Sequence, residues 1–153
     1  MLSTNADLPS VLFTHAYLYS DGKRYDRSIS PRQSYHPDTY QYTPSEGIND
    51  GEDIWQKLVE PHENVRLLLS GQVIPDGTAR STATRKSGSQ VQQVLANYQL
   101  CASCPCQQVM GGDGYLRGLE FDQDGKNIRV STYSPYLDAP LTDGENELTL
   151  PLQ

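Results

Sequence analysis

The chain has 153 residues, of which 36% are hydrophobic and 20% are charged, which is enough to build one domain with a hydrophobic core. Its formal net charge is −7 and it has no Lys- or Arg-rich stretch, which argues against nucleic acid and against an anionic membrane surface as partners. No apolar stretch approaches the roughly 20 residues that span a bilayer, and the N-terminal sequence lacks the basic head and apolar centre of a secretion signal, so the compartment stays open.

The first predicted element is a buried strand. Residues 8–18, LPSVLFTHAYL, are mostly apolar, β-branched or aromatic, and His15 lies toward the carboxyl end of this run. Residues 20–50 then show no period, and a loop of that length is usually functional or disordered. Partial packing of this loop is predicted by its tyrosines, which include Tyr25, Tyr35, Tyr40 and Tyr42.

A helix is predicted at residues 51–60, GEDIWQKLVE. Asp50 is a suitable N-cap, and one face carries apolar residues at helical spacing, namely Ile54, Trp55, Leu58 and Val59. The apolar run from Val65 to Leu69 predicts a second strand directly after the helix. The N-terminal half therefore indicates a strand–helix–strand crossover unit with parallel strands.

Two polar residues stand at the carboxyl ends of these strands, where parallel sheets bind their ligands. His15 lies toward the end of the first strand, and Gln72 lies just past the end of the second. They would converge on one site if the two strands were neighbours. On strand context alone, His15 is more typical of a satisfied core or rim histidine than of a metal ligand.

The second half shows the period-two pattern of strands. Residues 91–100 alternate along one face, and residues 114–121 and 127–134 predict two further strands. The connection DQDGK contains an Asp-Gly pair, which is typical of a hairpin. We interpret this half as an antiparallel meander followed by an irregular tail, residues 139–153, rich in proline and acidic residues.

The cysteines form one cluster, CASCPC, at Cys101, Cys104 and Cys106. An odd number leaves one thiol after any disulfide. A closed zinc site usually takes four ligands, and the cluster has neither a fourth cysteine nor a histidine nearby. A local disulfide and free thiols both remain open, so the redox state is left undetermined.

Other polar candidates have simpler interpretations. Residues Asp122 to Gly125 share two acids with a calcium loop but lack its third acid and distal Glu, so a hairpin turn is favoured. His36 and His62 lie in loop-like contexts and are predicted to be solvated. Asn97 and Asp76 are polar groups that could face the same cleft as His15 and Gln72, but the favoured interpretation is an ordinary strand residue for Asn97 and a turn residue for Asp76.

Five segments occur in a recognisable order: VLFTHAYLYSDGKRYD, NDGEDIWQKLV, NVRLLLSGQVIPDGTAR, VLANYQ and GYLRGLEFDQDGKNIRVSTYSPYLD. Together, over residues 10–145, they resemble the C-terminal part of calcineurin-like metallophosphoesterases. The resemblance implies a mixed α/β fold, the C-terminal half of a four-layer α/β/β/α sandwich, with one strand–helix–strand unit and then an antiparallel meander. It implies one partial domain, residues 1–153, with a core at 8–138.

The family's site holds two divalent metals, Mn, Zn or Fe, which bind the phosphate and activate a bridging water. His15 matches the lone histidine of the fourth motif. Residues Gly71 to Ile74 fall on the Gly-His-x-His turn of the fifth motif, with Gln72 and Ile74 in place of its two histidines. The resemblance therefore implies His15 and Gln72 as metal positions, with weak or absent binding, because an amide oxygen is a poorer ligand for a transition metal than imidazole.

The first three motifs of the family, Asp-x-His, Gly-Asp and Gly-Asn-His-Asp, do not precede residue 10. The resemblance thus implies a hydrolase of phosphoric esters by lineage that is incomplete and inactive as an isolated chain. The alternative is a non-catalytic binding or assembly module, with the loop at 20–50 as its contact surface. Either way, we expect exposed strand edges and apolar surface that pair with a partner chain or with a missing N-terminal half.

Overall fold

The fold is mixed α/β and consists mostly of strands. The computed structural model describes residues 2–31, 33–40, 47–73, 77–99 and 112–152. Four predicted features lie outside these ranges: Tyr42, Ile74, Asp76 and the cysteine cluster. Among the described residues, no helix is both long enough and apolar enough to cross a bilayer.

A four-stranded sheet forms the centre of the first half. Its strands are β1 (Ser10–Thr14), β2 (Val65–Ser70), β3 (Gly77–Thr84) and β4 (Gln90–Asn97), in the spatial order β1-β2-β4-β3. β2 runs parallel to both β1 and β4, while β3 is antiparallel to β4. A strand with neighbours on both sides and layers on both faces is apolar along its length, which explains the run of leucines in β2.

The crossover between β1 and β2 contains the predicted helix. An α-helical turn, α1 (Gly51–Ile54), continues as a π-helical turn, Trp55–Val59. Asp50 caps it, since its Oδ1 accepts a hydrogen bond from the amide of Asp53 over 2.9 Å. The carboxylate of Asp53 in turn accepts a hydrogen bond from the amide of Asp50, which completes a capping box. Trp55 and Val59 are buried, so the predicted cap and apolar face are both confirmed.

A second, antiparallel sheet follows. Its strands are β5 (Leu116–Phe121), β6 (Asn127–Ser134), β7 (Ala139–Leu141) and β8 (Leu148–Pro151). β5 pairs with one edge of β6, and β7 and β8 pair with different parts of the other edge. The turn between β5 and β6 places Gly125 at φ 68°, which glycine adopts without steric cost, so the predicted hairpin is confirmed.

Two hydrophobic clusters arrange these elements in three layers. One cluster joins the helix and the loop after β1 to the first sheet; its largest members are Tyr17, Tyr25, Leu68, Trp55 and Leu95. The other lies between the two sheets and combines Leu67 and Val94 with Ile128, Val130 and Leu150. The sheets therefore pack face to face, and the helix covers the opposite face of the first sheet.

Two predictions about the second half differ from the structure. The expected meander is divided, because β3 and β4 complete the first sheet whereas β5 and β6 belong to the separate antiparallel sheet. The tail at 139–153, predicted to be irregular, contains β7 and β8, and Leu150 is buried. Period-two patterns do not reveal which strand is the neighbour, and strands of three or four residues are too short to show a period.

Candidate functional site

The carboxyl ends of β1 and β2 lie side by side. Thr14 pairs with Ser70 at the last position of the parallel ladder. One residue further, the amide of Gly71 donates a hydrogen bond to the carbonyl oxygen of His15 over 3.1 Å. The two strands are therefore neighbours, which was the condition for His15 and Gln72 to converge on one site. The backbone of His15 lies against the turn that contains Gln72. The side chain of His15 is exposed and Gln72 is half-buried.

The turn after β2 has a strained backbone. Gln72 adopts φ 83°, in the left-handed region, where a Cβ costs roughly 1–2 kcal/mol. Non-glycine residues in such conformations concentrate at functional sites because the surrounding structure must hold them there. The conformation at Gln72 is therefore an independent reason to regard this turn as a site.

The end of β4 holds the turn in place. Nδ2 of Asn97 donates a hydrogen bond to the carbonyl oxygen of Val73 over 3.0 Å, and its Oδ1 accepts one from the amide of Gln99. Gly77 permits this close packing, since a Cβ there would lie 2.9 Å from the carbonyl oxygen of Val73. Asn97 thus supports the turn through its side chain. The sequence-based interpretation of Asn97 as an ordinary strand residue did not predict this role.

An aromatic side chain from the long loop reaches the same place. The ring of Tyr40 contacts the imidazole of His15 edge-to-face, with ring centroids 6.1 Å apart and an interplanar angle of 61°. Burial raises the pKa of the Tyr40 phenol, so the hydroxyl stays protonated at neutral pH. Its oxygen is buried, and no hydrogen-bond partner for it lies within the described part of the chain.

The loop that carries Tyr40 is well packed where it is described. Tyr25 is fully buried, which confirms the partial packing predicted from the tyrosines. His36 is also fully buried, and its Nδ1 lies 2.7 Å from Oδ1 of Asp38, so the prediction of a solvated histidine is wrong. The reason is tertiary, because the ring of His36 packs edge-to-face on Tyr25. His62 is half-buried, with Nδ1 2.7 Å from the carbonyl oxygen of Leu58.

Ion pairs join this loop to the start of the helix. Nε of Arg27 donates to Oδ2 of Asp50, the helix cap, over 3.0 Å. Arg24 pairs with Glu52 over 2.6 Å, and its guanidinium lies 4.6 Å from the ring centroid of Trp55. The loop is therefore held against the helix by the residues that begin it.

A two-metal centre does not fit the residues at this site. His15 and Gln72 offer one imidazole nitrogen and one amide oxygen, whereas two divalent cations need carboxylates to balance their charge. Within the described ranges, no three His, Cys, Asp or Glu side chains are grouped closely enough to hold a metal ion. His15 and Gln72 as metal positions remain predictions, and any complete centre requires further ligands.

A cleft opens between the two sheets beside the turn. Its volume is about 320 Å³, and Thr14, Ser70 and Gly71 line it at the strand ends. Apolar side chains line the rest, apart from Arg117: Phe13, Leu69, Val94, Ala96 and Leu119. Phe13 is 73% exposed, so the described residues leave the hydrophobic layer between the sheets partly uncovered on this side.

Comparison with known proteins assigns neither a family nor an activity. The chain is 39% identical over 93 residues to a Bacillus subtilis (strain 168) protein described as "Uncharacterized protein YvnB". The match includes 57% of this chain, but the chain spans only 6% of the length of that relative. No protein-family model matches the sequence, and no solved structure matches it.

The sequence placed His15 and Gln72 at this site, favoured an ordinary strand role for Asn97 and did not indicate the contact of Tyr40. Tyr40 follows His15 by 25 positions in a loop without a period, so no local signal links the two residues. Asn97 lies near the end of the predicted strand at 91–100, and a polar residue in that position was the available signal. Both contributions depend on neighbours that only the folded chain brings together.

Proposed function

We propose that this chain is the C-terminal half of a calcineurin-like metallophosphoesterase domain, with the lineage of a phosphoric ester hydrolase, and that it is inactive in isolation. One observation carries the proposal. The two positions that the resemblance assigns to metal ligands, His15 and Gln72, lie in directly neighbouring strand ends, joined by the hydrogen bond from Gly71 to His15. Residues 57 positions apart in sequence have no local reason to meet there.

The strained turn supports the same conclusion. Gln72 occupies φ 83° although glycine would adopt that conformation without strain. A side chain at this position is explained if it extends into a site, where a histidine stands in the resembling family. In a complete domain His15 would supply an imidazole nitrogen and Gln72 a weaker amide oxygen, while the carboxylates would come from residues carrying the first three motifs.

A gain of metal affinity tests the arrangement. In Gln72→His, two imidazoles would face one site, and we expect Zn²⁺ affinity, measured by isothermal titration calorimetry, to rise by at least about tenfold. The gain should disappear in the double variant His15→Ala/Gln72→His. It should persist with His62→Ala, because His62 precedes the opposite end of β2. No gain, or a gain that survives His15→Ala, would refute the proposed site.

An activity assay tests the second part of the proposal. We expect no Mn²⁺- or Zn²⁺-dependent hydrolysis of a generic aryl phosphate by the chain alone. Turnover that is lost in His15→Ala would contradict inactivity of the isolated chain. The coding sequence upstream of Met1 offers a further check, since in-frame Asp-x-His and Gly-Asn-His-Asp motifs would supply the missing ligands.

A second candidate function is a non-catalytic assembly module, and the open cleft favours it. Within the described part of the chain, β1 and β5 each have one edge that pairs with no other strand, and side chains from both strands line the same cleft. A polypeptide that adds a strand to each sheet would satisfy these edges and cover Phe13. We therefore propose that the occupant is the N-terminal half of the domain or a partner chain that replaces it.

Self-association of the isolated chain tests whether the cleft and the edges of β1 and β5 can bind another polypeptide. Without its occupant, we expect the wild type to dimerise as concentration rises in sedimentation velocity, since unpaired edges and apolar surface would meet. Phe13→Lys should remain monomeric. Tyr136→Lys is the matched control, because Tyr136 is 79% exposed but does not line the cleft. A wild type that stays monomeric at millimolar concentration would argue against this candidate.

A further inference from the structure

The imidazole of His15 is exposed and extends from the end of an edge strand, so its own backbone does not limit its rotamers to one. A ligand histidine performs better when a neighbour fixes the direction of its ring. The ring of Tyr40 contacts this imidazole edge-to-face at a centroid distance of 6.1 Å. The contact therefore supplies the restraint that the position of His15 lacks.

We infer that Tyr40 is a positioning residue, whose ring selects the orientation of the His15 imidazole at the carboxyl end of β1. The inference rests on the proposed function only for what His15 binds. The orientation of the imidazole is a property of the free chain and can be measured without a metal or substrate.

Tyr40 is itself held firmly enough for this task. It directly follows a 3₁₀ turn, Pro37–Thr39, and its amide donates a hydrogen bond to the carbonyl oxygen of Pro37 over 3.2 Å. Immediately before that turn, His36 is fully buried and caps it by accepting from the amide of Asp38. The buried anchor at His36 thus fixes the loop four residues before Tyr40.

The ring of Tyr40, and not its hydroxyl, makes the contact that matters here. The hydroxyl oxygen is buried without a partner in the described part of the chain. Removal of an unpaired buried hydroxyl should leave stability unchanged or raise it. Tyr40→Phe therefore keeps the positioning contact, whereas Tyr40→Leu removes it and stays apolar.

Side-chain NMR of the three histidines tests the inference directly. In the wild type we expect nuclear Overhauser contacts between the rings of Tyr40 and His15, and scalar couplings that indicate one dominant His15 χ1 rotamer. Tyr40→Phe should preserve both the rotamer and a thermal midpoint at or above that of the wild type. Tyr40→Leu should average the His15 rotamers, while unchanged His36 and His62 signals report an intact fold.

A neighbouring tyrosine provides the matched control. Tyr35 lies on the same loop and is 45% exposed, so Tyr35→Leu should leave the His15 signals unchanged. Absence of the contact in the wild type, or an unchanged His15 rotamer in Tyr40→Leu, would overturn the inference. A change in Tyr40→Phe equal to that in Tyr40→Leu would overturn it as well, because the hydroxyl would then be required.

Metal affinity distinguishes this inference from the proposed function. In the Gln72→His background, Tyr40→Leu should lower Zn²⁺ affinity by about two- to tenfold, and Tyr40→Phe should not. If Gln72→His gains no affinity while Tyr40→Leu still averages the His15 rotamers, the proposed function fails and the positioning role stands. If affinity is gained but is insensitive to Tyr40→Leu, the positioning role fails alone.

Discussion

Nδ2 of Asn97 donates a hydrogen bond to the carbonyl oxygen of Val73 over 3.0 Å, so the end of β4 holds the turn that follows β2. The same turn is joined to β1 by the hydrogen bond from Gly71 to His15. The three parallel strands of the first sheet therefore meet at one short segment. The candidate site is built where they meet, and its geometry depends on all three.

Replacement of Asn97 should loosen this turn. Asn97→Ala removes the donor to Val73 and the acceptor for Gln99, and we expect a loss of about 1–2 kcal/mol in the free energy of unfolding from urea titration. Asn97→Asp keeps the acceptor but loses the donor, and should be no more stable than Asn97→Ala. Asn127→Ala, at the first residue of β6, removes only an exposed side-chain hydrogen bond to Asp122 and should cost less than about 0.5 kcal/mol. Wild-type stability in Asn97→Asp would show that the bond to Val73 contributes nothing.

Glycine at position 72 should stabilise the chain. Gln72 adopts φ 83°, so Gln72→Gly relieves backbone strain. The free energy of unfolding of Gln72→Gly should be about 0.5–1 kcal/mol higher than that of Gln72→Ala. The same substitution at Gln56, an exposed position in the π-helical turn, should have the opposite sign and a similar size. Chemical denaturation of the four variants with Gly or Ala at these two positions checks the prediction. Equal signs at both positions would contradict the strain at Gln72.

Arg85 should be among the most sensitive residues outside the site. Its side chain is fully buried, and its guanidinium donates to the carbonyl oxygens of Val59, His62 and Val65, which end the helix and begin β2. Arg85→Met fills the volume but removes three hydrogen bonds from a charged donor to these carbonyl oxygens, and we expect a loss of at least about 3 kcal/mol in the free energy of unfolding. Arg129→Met is the control, because Arg129 pairs with Glu120 on the surface and such pairs contribute about 0–1 kcal/mol. Similar denaturation midpoints for both variants would contradict this role.

Acid should weaken the helix cap. A hydrogen bond from Lys57 and, to a lesser extent, the contacts of Asp53 with Asp50 and Arg27 hold the pKa of the Asp53 carboxyl below its ordinary value of 3.8. A lowered pKa in the folded state contributes stability above the unfolded pKa, and this stability is lost as pH falls through the folded pKa.

The free energy of unfolding should therefore decline below pH 3.8. Asp53→Asn should be less stable at pH 7 and should decline less steeply in acid, as measured by urea unfolding between neutral and strongly acidic pH. Asp124→Asn, at the tip of the β5–β6 hairpin, controls for the loss of one surface charge at pH 7. A wild-type acid profile in Asp53→Asn would show that Asp53 does not contribute to this dependence.

Local signals predicted the elements that depend on few residues. Asp50 three positions before Asp53 specified the helix start because the cap and its partner are separated by less than one turn. Asp124-Gly125 specified the β5–β6 hairpin because glycine permits the positive φ that the turn requires. The apolar run from Val65 to Leu69 predicted a strand, and the structure places it inside the first sheet, between β1 and β4.

Other features could not be predicted because they depend on distant partners. His36 lies in a polar loop, yet the ring of Tyr25 and the fold of the loop exclude it from water. β4 has the same period-two pattern whether its neighbour is parallel or antiparallel, so the sequence did not separate the two sheets. The strands β7 and β8 are too short to show any period.

The amino-acid sequence by itself determined the strand–helix–strand unit, the hairpin of the second sheet and the two strand ends that carry His15 and Gln72, because these are set by periodicity, capping and turn residues within a few positions. Only the tertiary structure decided that those two ends are neighbours, that Asn97 supports the turn and that Tyr40 contacts the His15 ring. Such contacts join residues 24 or more positions apart, and packing and hydrogen bonding in the folded chain select them among many alternatives that the same local patterns allow.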